Sequence, residues 1–407
     1  MDGQQEKSTA LVTRGETALT AGAEKELGYW GKNAHRLTVL SRILLLLLVA
    51  FVLVFTLVNY RAFSPLSLYY FGQDIKGLPA QVGGEELPLY YDYGGEAAAV
   101  VAYRGGACVA SPTHVKIYAT DGELLLSLAH ARAMKAPRAV VSRDYLIVYD
   151  FGSTDFLVFN AHDLLHEGKT DAPILGVGLS DAGCFSLITA GEGVLSAVEL
   201  YDAGFRRTHS FGRAAATVAA PLSGDGRTLA LVGATRTGAQ VDFISFGESE
   251  ARAGVTLAGF PLAAAFTTNG VLTVLTTEGL YTVTSMGKTL AATDFAGGVP
   301  LAYDISAQGA VVSLQTDSLT GATTVIAVGA RGRERMRAHF AEAVTAVALG
   351  DTLVFALSGE TASLLSLRNG EVAETKKIPA GWRGITATDR HSARIIYPAM
   401  ALPLTEN

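Results

Sequence analysis

The sequence predicts an all-β fold: a seven-bladed β-propeller, with an eight-bladed alternative, preceded by one transmembrane α-helix. Three observations predict it. An uncharged apolar run lies near the N-terminus, short strand-like runs punctuated by glycine fill the rest, and turn signals return at a nearly constant period.

Composition sets the frame. The chain has 407 residues, 49% of them hydrophobic and 17% charged, with 44 glycines against 12 prolines. That balance suits many short strands joined by Gly turns, and the length allows a full core without disulfide or metal staples. A formal net charge of −6 lacks the basic footprint of a nucleic-acid binder. Two cysteines, Cys108 and Cys184, are too few for a disulfide framework and read as buried thiols.

The apolar run is Ile43–Tyr60, 18 residues without a charge, or about 27 Å of helix, close to a bilayer's hydrocarbon thickness. A cleaved signal peptide fits less well. The run is long for one, 42 residues precede it, and Asn59-Tyr60-Arg61-Ala62-Phe63 offers no small-x-small site. Lys25, Lys32, Arg36 and Arg42 flank it on one side and only Arg61 and Lys76 on the other, which orients the N-terminus toward the cytoplasm. The expected organisation is a flexible cytoplasmic tail (1–36), a transmembrane helix (37–60), a juxtamembrane connector (61–94) and an extracytoplasmic propeller (95–407). The expected location is the cell membrane, with the lipid bilayer as one partner through Ile43–Tyr60.

Two turn series carry the propeller expectation. The first is Ser/Thr-x-x-Gly before a strand: Ser180–Gly183, Ser223–Gly226, Thr267–Gly270 and Ser306–Gly309, with glycines 43, 44 and 39 residues apart. The second follows the third strand of each unit, at Gly122, Asp163, Gly204, Gly247, Gly287, Gly332 and Gly370, spaced by 38 to 45 residues. Four short strands in such a period form a propeller blade, because a lone four-stranded sheet cannot bury both faces and packing blade on blade does so. Seven turns in the second series imply seven blades. Ser392–Tyr397 then reads as a strand pairing into the first blade to close the ring, and Leu87–Tyr93 would have to contribute more than a connector for an eighth.

The membrane run, Asp144–Asp150, Gly183–Thr189 with Ala197–Asp202, and Ser223–Gly226 together resemble an uncharacterised family from clostridia-type Gram-positive bacteria. Its members have a single membrane helix and a propeller of the broad PQQ-like and WD40-like kind. The resemblance implies a fold and a location but no activity. The repeats depart from better-known propellers: no Gly-His and Trp-Asp pairs recur, and Trp382, followed by Arg383, is the one tryptophan after the apolar run. No quinone cofactor is therefore expected.

Several constellations bear on chemistry. His162 and His166 with Asp163 and Glu167 have zinc-like spacing on a helix but lack further ligands, so a solvated turn is expected. Ser285-Met-Gly-Lys288 has the Ser-x-x-Lys spacing, yet Gly287 belongs to the turn series. Arg331, Arg333, Arg335 and Arg337 alternate as they would along one face of a strand. That pattern suits either a ridge for anionic polymers or a charge-protected outer edge. Catalytic, cofactor and metal residues are none. The expected function is a membrane-tethered scaffold binding an envelope protein or ligand, not an enzyme. The alternatives are a glycan-processing propeller, with Asp150, Asp155, Asp242 and Asp304 near strand ends, or a single-pass envelope sensor.

Overall fold

The computed structural model describes residues 38–54, 88–91, 99–119, 122, 124–160, 163–388 and 391–405. Contact clustering separates residues 1–68 from 69–407. In the first unit, residues 38–54 form a helix. At 1.5 Å per residue this is about 25 Å, short of a bilayer's ~30 Å core. No helix among the described residues is long and apolar enough to cross a membrane. The expected transmembrane helix at 37–60, and the bilayer contact through Ile43–Tyr60, are corrected accordingly; positions 55–60 lie outside the described residues.

The second unit is built from strands whose apolar alternation has two covered faces. In Tyr145–Asp150, Leu146 and Val148 join a cluster with Cys108, Ala110 and Ile117. Ile147 and Tyr149, pointing the other way, join Ile174, Phe185 and Leu187. A strand covered on both faces is apolar at consecutive positions, and the same holds for Leu353–Ser358, whose Val354 and Phe355 enter different clusters. Fourth strands alternate instead: Thr289–Asp294 and Val372–Lys377 turn every second side chain to solvent.

Among the described residues the strands form eight antiparallel four-stranded sheets. Seven are continuous in sequence: blades 1 to 7 span 99–129, 137–169, 174–213, 216–257, 261–294, 299–340 and 346–377. Blade 8 takes three strands from the C-terminal end, Gly384–Ala387, Ser392–Ile396 and Met400–Thr405, and its outer strand, Leu89–Tyr90, from the beginning of the propeller. Eight apolar clusters fill the eight interfaces between neighbouring blades, the last joining Leu89, Tyr91 and Ala401 of blade 8 to Ala107, Val109 and Tyr118 of blade 1.

The expected seven blades are therefore corrected to eight, the alternative that required Leu87–Tyr93 to contribute more than a connector, as Leu89–Tyr90 does. Six positions of the second series lie in turns between third and fourth strands and Asp163 opens a fourth strand, one per continuous blade. The eighth blade has no such turn, because its fourth strand arrives from the other end of the propeller. Ser392–Ile396 is not a strand of the first blade but the second strand of the eighth, paired with Gly384–Ala387 and Met400–Thr405.

The glycine turns have a local cause. In Ser180–Gly183, Ser223–Gly226 and Thr267–Gly270 the glycine N–H donates to the carbonyl three residues back, at 3.2, 2.8 and 2.9 Å. Gly183, Gly226 and Gly270 have φ of 83°, 71° and 70°, the left-handed region that side chains disfavour.

Candidate functional site

Each blade runs inner strand to outer strand, so the ring has two distinct faces. One carries the turns between first and second and between third and fourth strands. The other carries the second-to-third-strand loops and the connectors that lead to the next blade. Exposed apolar side chains concentrate on the second, the connector face.

In the loops of the connector face Phe151, Val194, Leu195, Phe260 and Leu319 are exposed, with Val299 at the strand start beside them; among the described residues the turn-face loops expose Met286, and Leu124, Leu164, Leu290 and Val372 are exposed at the turn ends of fourth strands. Hydrogen bonds knit this surface across blades. Gly152 N–H donates to Ile174 O at 2.8 Å and Ile174 N–H to Ser153 O at 2.7 Å, setting the Phe151 loop of blade 2 against Leu175 of blade 3. Leu319, 95% exposed, sits at a loop tip stiffened by Asp317. That carboxylate accepts from Leu319 N–H (2.8 Å) and Thr320 Oγ1 (2.7 Å), bonds that hold its pKa below the ordinary value. The inner strands continue the apolar character into the channel through Val218, Leu301 and Tyr303.

A groove of about 510 Å³ opens on this face between blades 5 and 6. Leu262, Val299 and Pro300 supply apolar wall, Gly297 and Gly298 lie in the connector, and Glu278 and Asp294 bring carboxylates. Ala296 N–H donates to Asp294 Oδ1 at 2.7 Å, and Ala296 and Gly297 are both left-handed (φ 50° and 85°), which folds the connector tightly. A smaller cavity of about 190 Å³ lies between blades 1 and 2, lined among others by His130, Asp155, Leu164 and Lys169. His130 Nε2 lies 2.9 Å from Ser111 O, and burial pushes the imidazole pKa down.

The four carboxylates considered for catalysis do not come together. Asp150 is buried in blade 2 and accepts Lys135 N–H (2.9 Å) and Ala136 N–H (2.7 Å). Asp155 pairs with Lys169 at 3.0 Å. Asp242, in blade 4, is paired with Arg213 of blade 3 and accepts Gln240 Nε2 at 2.9 Å. Asp304, on the inner strand of blade 6, accepts Leu349 N–H of blade 7 at 2.9 Å, and burial raises its pKa. Each fastens a strand end or a blade boundary.

The other sequence candidates also resolve into structure. His162 lies outside the described residues; His166 sits on a strand, not a helix, with its ring stacked on Phe205 at 5.6 Å. No group of three potential metal ligands occurs among the described residues. Ser285 and Lys288 occupy a turn closed by Gly287 N–H donating to Thr284 O at 2.9 Å. Arg331 and Arg333 precede the strand Glu334–Phe340, on which Arg335 and Arg337 are exposed and Met336 and Ala338 buried. Arg337 is paired with Glu334 at 2.8 Å, so the four arginines share no single strand face. Cys108 and Cys184 are both free. The connector-face apolar residues were missed because they are spread over several loops, and only the ring puts those loops on one face.

Residues 91–377 match the model of a family of unknown function, DUF5711. No curated protein matches the chain. Among solved structures, the C-terminal WD40 domain of Sif2 aligns with a TM-score of 0.60 at 10% identity, over 80% of this chain and 98% of that one. The computationally designed Ika8 protein aligns at 0.58 and 13% identity, over 79% and 100%. BamB from Moraxella catarrhalis aligns at 0.53 and 10%, over 79% and 100%. At these identities the likeness establishes the β-propeller fold.

Proposed function

The chain belongs to DUF5711, and we propose that it acts as a protein-docking scaffold whose working surface is the connector face of the propeller. The observation that supports this reading is that exposed apolar side chains stand in several connector-face loops, whereas near the turn face those other than Met286 stand on outer strands. An apolar area on one face of a well-packed domain, surrounded by polar residues, is the signature of an interaction site. Propeller folds are typical of protein-interaction scaffolds, and a ring of loops on rigid sheets presents a preformed surface. Burial of Phe151, Phe260 and Leu319 would anchor a partner, since aromatic and large aliphatic side chains dominate interface energetics.

The test is co-purification from the native host with tagged full-length chain. Phe151→Ser with Leu319→Asp changes only exposed side chains, so folding should be unaffected. Loss of the wild type's co-purifying proteins in this variant, with retention in Met286→Asp on the turn face, is the expected result. Equal retention in both, or equal loss in both, refutes the assignment to the connector face.

A further inference from the structure

The groove between blades 5 and 6 combines two features that together specify an occupant. Its wall is apolar, from Leu262, Val299 and Pro300, and Val299 is 57% exposed. Glu278 and Asp294 stand on it as neighbours: Phe295 N–H donates to Glu278 O at 3.0 Å, and Asp294 pairs with Gly279 across the strands. No lysine, arginine or histidine lines the groove.

Several carboxylates elsewhere are neutralised within the fold. Asp155, Glu199, Asp202, Asp242 and Glu334 each have a basic partner within 4 Å. Neither Glu278 nor Asp294 is in an ion pair among the described residues. A cation entering the groove would meet two carboxylates and no competing basic group of the lining, while its aliphatic stem covers the wall.

We infer that this groove receives a basic side chain, arginine or lysine, flanked by an apolar residue, from a protein segment docked on the connector face. The inference rests on the docking reading above and adds the chemistry of the partner. A long basic side chain suits the site because its methylene stem packs on Val299 and Pro300 while its head reaches the two carboxylates. Gly297 leaves the entrance open: a Cβ built there meets nothing within 4 Å.

The experiment is fluorescence anisotropy with the full chain and three labelled peptides of equal length, alternating Leu with Arg, Gln or Glu, at about 50 mM salt, where attraction between exposed charges is weakly screened. The Arg peptide should bind about tenfold more tightly than the Gln peptide, and added salt should erase the difference. In the double variant Glu278→Gln/Asp294→Asn the Arg peptide should lose about tenfold while the Gln peptide is unchanged. Glu248→Gln/Glu250→Gln, the same charge change on the turn face, should bind like wild type.

Equal Arg and Gln binding to the wild type overturns the basic specificity but leaves the docking face standing. An equal loss in both double variants means that only net charge is sensed, and the groove assignment falls. If no peptide binds the wild type, the basic-segment inference is overturned. Co-purification lost by Phe151→Ser/Leu319→Asp would then separate that outcome from failure of the docking reading.

Discussion

Ring closure depends on very little backbone. The strand Leu89–Tyr90 makes two residue pairings with the third strand of blade 8, Leu89 with Ala401 and Tyr90 with Met400, so side-chain burial must hold it. Leu89 is 1% exposed and packs among Tyr91, Ala107, Val109, Tyr118 and Ala401. Leu89→Ala loses the transfer free energy of the missing carbons plus a cavity term, together about 3 kcal/mol. Collapse cannot relieve the cavity, because Ala107 and Val109 are paired on both sides, with Ala102 and Tyr118 and with Val100 and Lys116. For a cooperative unit of this size the loss lowers Tm by about 5 °C. Thermal denaturation followed by circular dichroism measures it, and hydrogen exchange should show protection lost first at blades 8 and 1. Leu124→Ala, on the exposed outer strand of blade 1, should change stability by less than about 0.5 kcal/mol. If the two variants melt together, closure by the early strand is not what holds the ring.

Three further outcomes follow from the same packing. Tyr91 donates its phenol to Tyr397 O (2.8 Å) and Met400 O (2.9 Å), and burial pushes its pKa up to about 12. The folded state then favours the protonated phenol, so this contribution is whole below the unfolded pKa near 10 and fades as pH rises toward 12. Urea titrations from pH 9 to 12 should show a decline that Tyr91→Phe flattens, at about 1 kcal/mol lower stability at pH 7; an unchanged slope would discount the linkage. A Cβ on Gly178 would lie 2.1 Å from Ala220 O of the neighbouring blade, so Gly178→Ala should cost about 2 kcal/mol or more. Gly384→Ala, where nothing lies within 4 Å, should be close to neutral; similar urea midpoints for the two would contradict the packing argument. Asp150→Ala strips the acceptor from two backbone N–H groups and should cost about 2 kcal/mol, with Asp150→Asn recovering most of it; equal destabilisation by both would place the cost elsewhere.

The strand runs and their turns were legible because they obey local rules. A glycine with φ near 75° and an apolar alternation of period two are written within a few residues, so the repeat could be read to the blade. The eighth blade was legible only as an alternative through Leu87–Tyr93, because a count of third-to-fourth-strand turns is one short whenever the last sheet borrows its outer strand from the other end of the propeller. The four-arginine pattern held in part: Arg335 and Arg337 are exposed on the outer strand Glu334–Phe340, as a charge-protected edge expects, whereas Arg331 and Arg333 fall in the turn before it, a boundary that spacing does not show. The apolar run at Ile43–Tyr60 was read by composition alone; a helix is found over 38–54, and 55–60 lie outside the described residues.

By itself the sequence determined that this is a repeating β protein, where most of its turns fall and which strands are apolar on both faces. Those properties come from the backbone preferences of single residues and the two-residue period of a strand. Tertiary structure decided the number of blades, the fate of each carboxylate and the unequal chemistry of the two faces. These depend on which loops the closed ring sets side by side, and residues as far apart as Phe151, Phe260 and Leu319 carry no mark in sequence of the face they share.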